Sequence, residues 1–350
     1  MFRNVQLLRA LGAVLVLLLH YHLHYLDMGG SNPLLTAVMT YGFVGVDIFF
    51  AISGFVMMHV IGSRRPTAAN VHDFLGRRVL RIYGWYLPCM VFALALMAVW
   101  DPPGFDRVNL LRSATLTSVD LQWLALPVSW SLSYELYFYA MVALGWVLFR
   151  ARLRGALWVS LGLLAVWCAL VPYREGTLRS FLTSPFILEF LAGALCYLYK
   201  DNLARKPLLP LYALATVVLV WLGVHYQAGN DFLRIRTFGA AAVCLMCFFV
   251  TLEQTGLYRA GRLAMLLGDA SYSIYLLHLP FLSVLYHSGL RKLLASYGPA
   301  VAELGFAAYI LAFLALCIGL HTLVERPLYR WLCRLLRLRH GPTPVNAVAA

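Results

Sequence analysis

The sequence predicts an all-α fold: a polytopic membrane bundle of about ten transmembrane helices with both termini in the cytoplasm. Of the 350 residues, 62% are hydrophobic and only 12% are charged, and the mean hydropathy is +0.76. This composition excludes an ordinary water-soluble domain. Ten apolar runs are long enough to cross a hydrocarbon core, which needs roughly 20 residues per helix. The loops between the runs are short, so no soluble domain is expected between them.

The predicted spans follow one another at close intervals along the chain. In order, they cover residues 5–25, 35–62, 82–100, 128–149, 155–172, 180–199, 207–224, 233–251, 263–286 and 297–324. Together they predict one membrane domain over residues 1–340. The sequence after Arg339 is compositionally loose, and residues 341–350 are expected to form a disordered tail.

The distribution of basic residues predicts the orientation. Ten spans place both termini on one side, and most of the 28 Lys and Arg residues fall on that side. The positive-inside rule makes this side cytoplasmic. The remaining basic residues, Arg234 and Arg236 among them, are assigned to loops on the opposite side. The same asymmetry, with anionic lipid headgroups as partners, accounts for the net charge of +13, and no nucleic-acid partner is predicted.

The first span carries Arg9 and His20 on one helical face. Eleven positions correspond to about three turns, so the two side chains are expected about 16 Å apart, with Arg9 near the cytoplasmic surface and His20 in the outer half of the bilayer. Ionisable residues inside a span are costly and mark functional paths. A snorkelling arginine and a hydrogen-bonded core histidine are the structural alternatives.

The second span contains Asp47 among glycines at positions 42, 45 and 54, in "GFVGVDIFFAISGFVM". These glycines predict a close approach of helices. Asp47 needs a partner inside the bundle, for which a deep arginine or histidine is the natural candidate.

The third span opens with Arg77, Arg78 and Arg81 in "FLGRRVLRIYGWYLP". Arg78 and Arg81 share a helical face, and two planar guanidinium groups are suited to phosphate oxygens. A topology signal is the alternative interpretation. With Arg9, these arginines predict a positive mouth on the cytoplasmic side.

The fourth span, "SWSLSYELYFYAMV", places Ser131 and Glu135 on one face at positions i and i+4. Glu135 is expected at a depth close to that of His20, where a carboxylate would fix the histidine tautomer and stabilise its protonated form. The sixth span contributes a further buried carboxylate, Glu189, for which a structural and a functional role are both open.

The ninth span, "LGDASYSIYLLHLPF", carries a polar strip that could line a passage from the cytoplasm. The strip consists of Asp269, Ser271, Ser273, Tyr275 and His278. The seven cysteines, an odd number, show neither a disulfide framework nor a zinc pattern, so no metal site is predicted.

Several of these segments resemble those of acyltransferase family 3, the bacterial membrane acyltransferases typified by O-antigen and exopolysaccharide O-acetyltransferases. The matching segments run in the family's order from residue 5 to about residue 330. They are the R-x10-H of the first span, "GFVGVDIFFAISGF", the R-x-x-R of the third span, "WSLSYELYFY", "FLAGAL", "LGDASYSIYLLHLP" and "VERPLYR".

The resemblance implies a bacterial inner-membrane enzyme. Its donor would be a cytoplasmic acyl-CoA, usually acetyl-CoA, and its acceptor a hydroxyl of a glycan or glycoside at the outer face. His20 matches the family's catalytic histidine and Arg9 its partner. Arg78 and Arg81 match the arginine motif assigned to the donor.

A mechanism that fits these residues has His20 as general base assisted by Glu135, with Tyr134 or Ser131 stabilising the oxyanion. Alternatively, His20 accepts the acyl group itself before passing it on. Both routes require one continuous cavity from the inner arginines to His20.

Two other classes of protein are consistent with the sequence. A secondary exporter would use His20, Glu135 and Asp47 as a proton relay. A transferase with a lipid-linked sugar donor would place acidic residues in outer loops. The identity of the acceptor and the acyl length stay open.

Overall fold

The computed structural model describes residues 2–62, 64–117, 124–171, 176–228 and 232–338, and the predicted tail lies outside these ranges. Within them the chain forms helices and no strand. The α-helices are α1 (Arg3–Asp27), α2 (Pro33–Thr40), α3 (Val44–Ile61), α4 (Ala68–Trp100), α5 (Pro102–Arg107), α6 (Leu110–Thr115), α7 (Trp130–Phe149), α8 (Leu153–Leu170), α9 (Leu178–Leu182), α10 (Phe186–Leu198), α11 (Lys200–Leu203), α12 (Leu209–His225), α13 (Phe232–Arg234), α14 (Ala240–Gln254), α15 (Arg262–Asp269), α16 (Ser271–His287), α17 (Leu290–Ser296), α18 (Pro299–Leu320) and α19 (Arg326–Leu335). Two π-helical turns, Ile235–Gly239 and His321–Glu325, connect α13 to α14 and α18 to α19.

In the described part of the chain, nine helical segments are long and apolar enough to cross a membrane. They are Arg3–Asp27, Val44–Ile61, Ala68–Trp100, Pro127–Phe149, Leu153–Leu170, Leu178–Leu198, Lys206–His225, Phe232–Gln254 and Pro299–Leu335. The predicted polytopic helical bundle is confirmed.

The span predicted over 263–286 is not one helix. It is divided at Ala270 into α15 and α16, so the single span predicted over these residues is two helices. The polar residues on either side of the break, Asp269 and Ser271, face an internal cavity. A helix break inside a membrane protein is tolerated where it is enclosed by protein or lines a cavity.

Helices α15 and α16 pack along α1 and run parallel to it. Gly268 lies against Gln6 near the start of α1, and His278 lies against His20 further along. The broken segment therefore crosses the bundle in the same direction as α1.

Helix α3 packs antiparallel to α1 through glycines. A Cβ atom on Gly45 would overlap the carbonyl oxygen of Gly12, and Gly42 is equally crowded by α1. On another face of α3, a Cβ on Gly54 would overlap the carbonyl oxygen of Phe190 in α10. The predicted role of these glycines in close helix approach is confirmed.

The buried core is formed mainly by α1, α3, α4, α7, α10 and α16. In contrast, α8 and α12 each contain a single buried residue, Leu157 and Gly223. Their exposed apolar surfaces are suited to lipid. Helix α4 begins at Ala68 rather than near residue 82, so its arginines lie within a continuous helix and form part of an internal wall.

Candidate active site

An internal cavity of about 520 Å³ lies between α1, α3, α4, α7 and α16. Its volume is within the usual range for small-molecule sites. Six arginines line it, Arg9, Arg64, Arg77, Arg78, Arg81 and Arg326, together with three carboxylates, Asp73, Glu135 and Asp269. The wall formed by α3 is largely apolar and includes Val46, Phe49, Ile52, Val56 and Val60. The cavity is therefore suited to a molecule with an anionic end and a less polar arm.

Arg78 and Arg81 both line the cavity, but their partners differ. Arg81 Nη1 donates to Glu325 Oε1 at 2.6 Å, and its guanidinium lies 5.3 Å from the Tyr272 ring centroid. Arg78 lies 5.7 Å from the centre of the Tyr139 ring and makes no ion pair or hydrogen bond with any residue that the structure describes. Arg78 thus keeps its donors for a ligand, whereas the charge of Arg81 is balanced within the protein.

Three buried donor atoms at the cavity wall have no hydrogen-bond partner among the described residues. They are Arg77 Nη2, Arg326 Nε and Ser271 Oγ. Arg77 uses its Nε to bind Asp73 at 3.0 Å, which fixes the guanidinium in place. Buried donors are almost always satisfied, and leaving one unsatisfied costs about 1–3 kcal/mol. An anionic ligand would supply the missing acceptors.

Arg9 belongs to the same cavity as the arginines of α4, as the sequence predicted. Its Nη1 donates to Gln6 Oε1 at 3.2 Å, and Gln6 Nε2 donates to Asp269 Oδ1 at 2.7 Å. The charges of Glu135 and Arg81 also act on Arg9. A neutral side chain as its direct partner leaves the positive charge of Arg9 available to the cavity.

His20 and His278 form a pair. His278 Nε2 lies 3.2 Å from His20 Nδ1, and the ring centroids are 4.8 Å apart. His20 Nδ1 is also 2.8 Å from the Val16 carbonyl oxygen. Because a carbonyl oxygen can only accept, Nδ1 is assigned the proton, and Nε2 of His20 keeps its lone pair. This arrangement prepares His20 Nε2 to act as a base or a nucleophile.

Tyr275 lies between the cavity and the histidine pair. Its ring centroid is 5.8 Å from that of Phe49 and 5.9 Å from that of His278. The Tyr275 hydroxyl lies 2.8 Å from Ser131 Oγ and donates to the Val128 carbonyl at 2.9 Å. Tyr275 lines the cavity, but neither histidine does. The predicted continuous cavity is therefore not seen in this conformation, because the cavity extends to Tyr275, which contacts His278, and does not reach either histidine.

Glu135 does not contact His20, contrary to the prediction. It accepts hydrogen bonds from the hydroxyl groups of Tyr139 and Ser53, the latter at 3.4 Å, and it lines the same cavity as the arginines. The two residues had been expected at similar depth. The partners of His20 come instead from α1 and α16.

Asp47 forms a buried ion pair with Arg234 outside the cavity. Arg234 Nη2 and Nε lie 3.0 and 3.1 Å from the carboxylate, and the guanidinium is 4.6 Å from the centre of the Phe43 ring. The expected arginine partner is found, but the assignment of Arg234 to an outer loop is wrong, because it lies in α13 and turns into the bundle. Glu189 is buried beside this pair.

Two further predicted residues lie away from the cavity. Tyr134 stacks on Phe181 at a centroid distance of 4.5 Å, so its position does not support the predicted role as oxyanion donor. Ser273 donates to Glu325 at 2.7 Å and contributes to holding Arg81. Of the polar strip in α15 and α16, only Asp269, Ser271 and Tyr275, with the neighbouring Tyr272, line the cavity.

Sequence reasoning assigned no role to several residues of the cavity wall. These are Gln6, Ser53, Tyr139, Tyr272, Arg326 and Tyr329. Arg326 stands in the quoted segment "VERPLYR", and Tyr139 lies one turn after Glu135. Their membership follows from packing between distant helices, for which a single sequence carries no signal.

The helices and the arginines around the cavity define an integral membrane protein with a basic internal cavity. The family model described as "Acyltransferase domain" (Acyl_transf_3) matches residues 2–323, and the chain belongs to this family. The resemblance inferred from the motifs is confirmed.

Individual relatives agree with this assignment. The chain is 32% identical over 299 residues to "Exopolysaccharide production protein ExoZ" of Rhizobium meliloti (strain 1021), covering 83% of this chain and 90% of that relative. It is 25% identical over 342 residues to "Acyltransferase MdmB" of Streptomyces mycarofaciens, covering 88% of this chain and 86% of the relative. No solved structure matches the chain.

Proposed function

We propose that this membrane acyltransferase transfers a short acyl group, preferably acetyl, from cytoplasmic acyl-CoA to a hydroxyl of an exopolysaccharide or a related glycan at the outer face of the bacterial inner membrane. The observation that carries the proposal is the geometry of the site. A cavity with buried, unpartnered donors extends to Tyr275, the Tyr275 ring contacts His278, and His278 in turn pairs with His20, whose Nε2 is available to accept a proton.

The donor fits the cavity by charge and by shape. The phosphate groups of acyl-CoA would bind Arg78 and the free Nη2 of Arg77, with Arg9 close by. Guanidinium groups bind phosphate oxygens through charge-assisted hydrogen bonds. The pantetheine arm would then extend along the apolar wall of α3 toward Tyr275, which brings the thioester close to the histidine pair.

The transfer proceeds with balanced proton movements. His20 Nε2 accepts the proton of the acceptor hydroxyl as its oxygen attacks the thioester carbonyl. The new C–O ester bond forms, the C–S bond breaks, and the thiolate of CoA takes the proton from His20. His20 Nδ1–H stays bound to Val16 and His278 throughout, which keeps the ring oriented. A two-step route through an acyl-His20 intermediate uses the same atoms.

This scheme requires a movement of Tyr275. Rotation of its ring would break the hydrogen bonds to Ser131 and Val128 and join the cavity to the histidines. After rotation, Ser131 Oγ would keep its hydrogen bond to the Val128 carbonyl at 3.2 Å, and its hydroxyl would have to exchange that acceptor for the carbonyl oxygen of the thioester to serve as an oxyanion donor.

The proposed acceptor rests on the position of His20 and on one relative. His20 lies beyond the cavity, on the side away from the arginines, so the acceptor and the donor would approach from opposite sides. The printed name of ExoZ connects that protein to exopolysaccharide production. The basic residues around the cavity mouth support a cytoplasmic location for the donor.

The test is a coupled assay with the purified full-length protein in lipid nanodiscs. Acetyl-CoA and an acidic exopolysaccharide fragment are supplied, free thiol is measured, and the acetylated glycan is detected by mass spectrometry. We expect acceptor-dependent thiol release that is abolished by His20→Ala and strongly reduced by Arg78→Ala.

His22→Ala is the matched control, since His22 lies two residues from His20 on α1 and does not line the cavity. It should leave turnover close to that of the wild-type protein. Thiol release that does not depend on His20, together with glycan flux across vesicles, would instead support an exporter.

A further inference from the structure

The cavity contains further unpartnered donors on α16 and α19, in addition to the arginines of α4. Arg326 opens α19 and lines the cavity, and its Nε is buried without a hydrogen-bond partner in the described part of the chain. Ser271 opens α16, is completely buried, and presents an equally unpartnered Oγ to the same cavity. Neither residue makes an ion pair with a described residue. We define the position of Arg326, the first residue of α19, as the α19 subsite.

The surroundings of the α19 subsite favour an anion. Asp269 and Arg330 are the charged groups whose fields act on Arg326 most directly. The Asp269 carboxylate already accepts a hydrogen bond from Gln6 at 2.7 Å and lies close to Arg9 as well. The negative charge of Asp269 is therefore shared between two arginines, and it does not neutralise Arg326.

The subsite is separate from the arginines of α4. Arg77 and Arg78 lie on the wall that leads to Glu135 and Tyr139, and Arg77 is anchored by Asp73. Arg326 lies beyond the π-helical turn whose last residue, Glu325, holds Arg81. Arg330, one turn further along α19, is exposed, so Arg326 lies where the cavity approaches the surface.

We infer that Arg326 binds the 3′-phosphate of the nucleotide in the acyl-CoA donor, an inference that rests on the proposed function. Acyl-CoA carries two separate anionic groups, a diphosphate joined to the pantetheine arm and a phosphate monoester on the ribose. The group joined to the arm belongs on the α4 wall, which leads toward Tyr275. The monoester is at the outer end of the donor, where the α19 subsite lies.

The inference makes Arg326 a determinant of donor specificity. A donor without the 3′-phosphate would leave the subsite unsatisfied, and a site built to bind a polar group rejects an analogue that lacks it. The enzyme should therefore discriminate acetyl-CoA from acetyl-dephospho-CoA, and this discrimination should depend on Arg326.

The experiment compares these two donors in the wild-type protein, Arg326→Gln and Arg326→Lys. In the wild-type protein, KM for acetyl-CoA should be roughly 10- to 100-fold lower than for acetyl-dephospho-CoA, as expected for a lost charge-assisted contact. Arg326→Gln should raise KM for acetyl-CoA toward that of the dephospho donor and leave the latter unchanged. Arg326→Lys should restore part of the difference.

Arg330→Gln is the matched control, since it removes the same charge from the next turn of the same helix. It should change KM for both donors by less than about twofold, because exposed charges contribute little. Equal KM values for the two donors in the wild-type protein, or an equal rise for both in Arg326→Gln, would overturn the inference.

A binding measurement separates this inference from the proposed function. Adenosine 3′,5′-bisphosphate and adenosine 5′-monophosphate are titrated into the protein in nanodiscs, and binding is followed by calorimetry. We expect tighter binding of the bisphosphate in the wild-type protein and equal binding of both nucleotides in Arg326→Gln. This result would support the subsite even if no acyl transfer were observed, whereas equal binding in the wild-type protein would refute it.

Discussion

Replacement of His278 tests how the histidine pair works. In the proposed mechanism His20 becomes an imidazolium in the transition state, and its Nδ1–H is shared between the Val16 carbonyl at 2.8 Å and His278 Nε2 at 3.2 Å. A hydrogen bond to a charged group contributes about 1.5–3 kcal/mol. Since Val16 keeps the shorter contact, we expect the low end of this range. His278→Leu should therefore lower kcat roughly tenfold.

The substitution should lower kcat without changing KM, which distinguishes an effect on His20 from an effect on donor binding. His278 is fully buried and does not line the cavity, so KM for acetyl-CoA should stay within about twofold of the wild-type value. His278→Gln offers an acceptor near the position of Nε2 and should recover most of kcat. The measurement is steady-state thiol release in nanodiscs with a saturating glycan acceptor.

Two results would refute this reasoning. An unchanged kcat in His278→Leu would mean that the Val16 carbonyl alone orients His20. Equal losses in His278→Gln and His278→Leu, with a lowered melting temperature in both, would mean that His278 serves packing only.

Three other perturbations follow from the structure. Tyr275→Phe removes the hydrogen bonds that hold the ring in place, each of which contributes about 0.5–1.5 kcal/mol. This substitution should raise the acceptor-independent hydrolysis of acetyl-CoA several-fold. Unchanged hydrolysis would argue against a barrier at this ring. Arg234→Met leaves Asp47 buried and unpaired, and it should destabilise the protein by about 3–5 kcal/mol. The loss should be measured as a lower melting temperature in detergent, and adding Asp47→Leu to the same chain should recover part of it. A single cysteine introduced at the exposed Thr67 should react with an impermeant maleimide from the cytoplasmic side. A single cysteine at the exposed Ser288 should react from the outer side, and the reverse pattern would contradict the proposed topology.

The sequence predicted the class of fold and the basic half of the site well. Hydropathy determines which segments cross the membrane, and helical periodicity placed Arg78 and Arg81 on one face. Glycines in α3 revealed its close contacts, because only glycine permits carbonyl groups of a neighbouring helix to approach so closely. Each of these properties depends on the residues of a single helix, so it can be predicted from one sequence.

The sequence failed where the outcome depends on which helices become neighbours. The sequence predicts the approximate depth of Glu135 in the membrane. Whether Glu135 faces the arginines or His20 depends on how α7 is rotated about its axis and on which helices pack against it. Arg234 stands at the boundary of a predicted span, and the sequence alone does not show that the buried carboxylate of Asp47 draws it inward. The pairing of His20 with His278 joins residues from the first span and a broken helix near the end of the chain, and neither segment alone indicates it.

The π-helical turn His321–Glu325 has a consequence for insertions and deletions. At its C-terminal end, two consecutive residues have different contacts: Glu325 binds Arg81, and Arg326 lines the cavity. Successive residues of a helix are separated by about 100° of rotation, so deletion of one residue from the turn would reorient all of α19 by that angle. Arg326 would then leave its present place in the cavity wall while every amino acid of α19 was retained. Spacing in this turn, as much as side-chain identity, thus determines which charged side chains of α19 face the cavity.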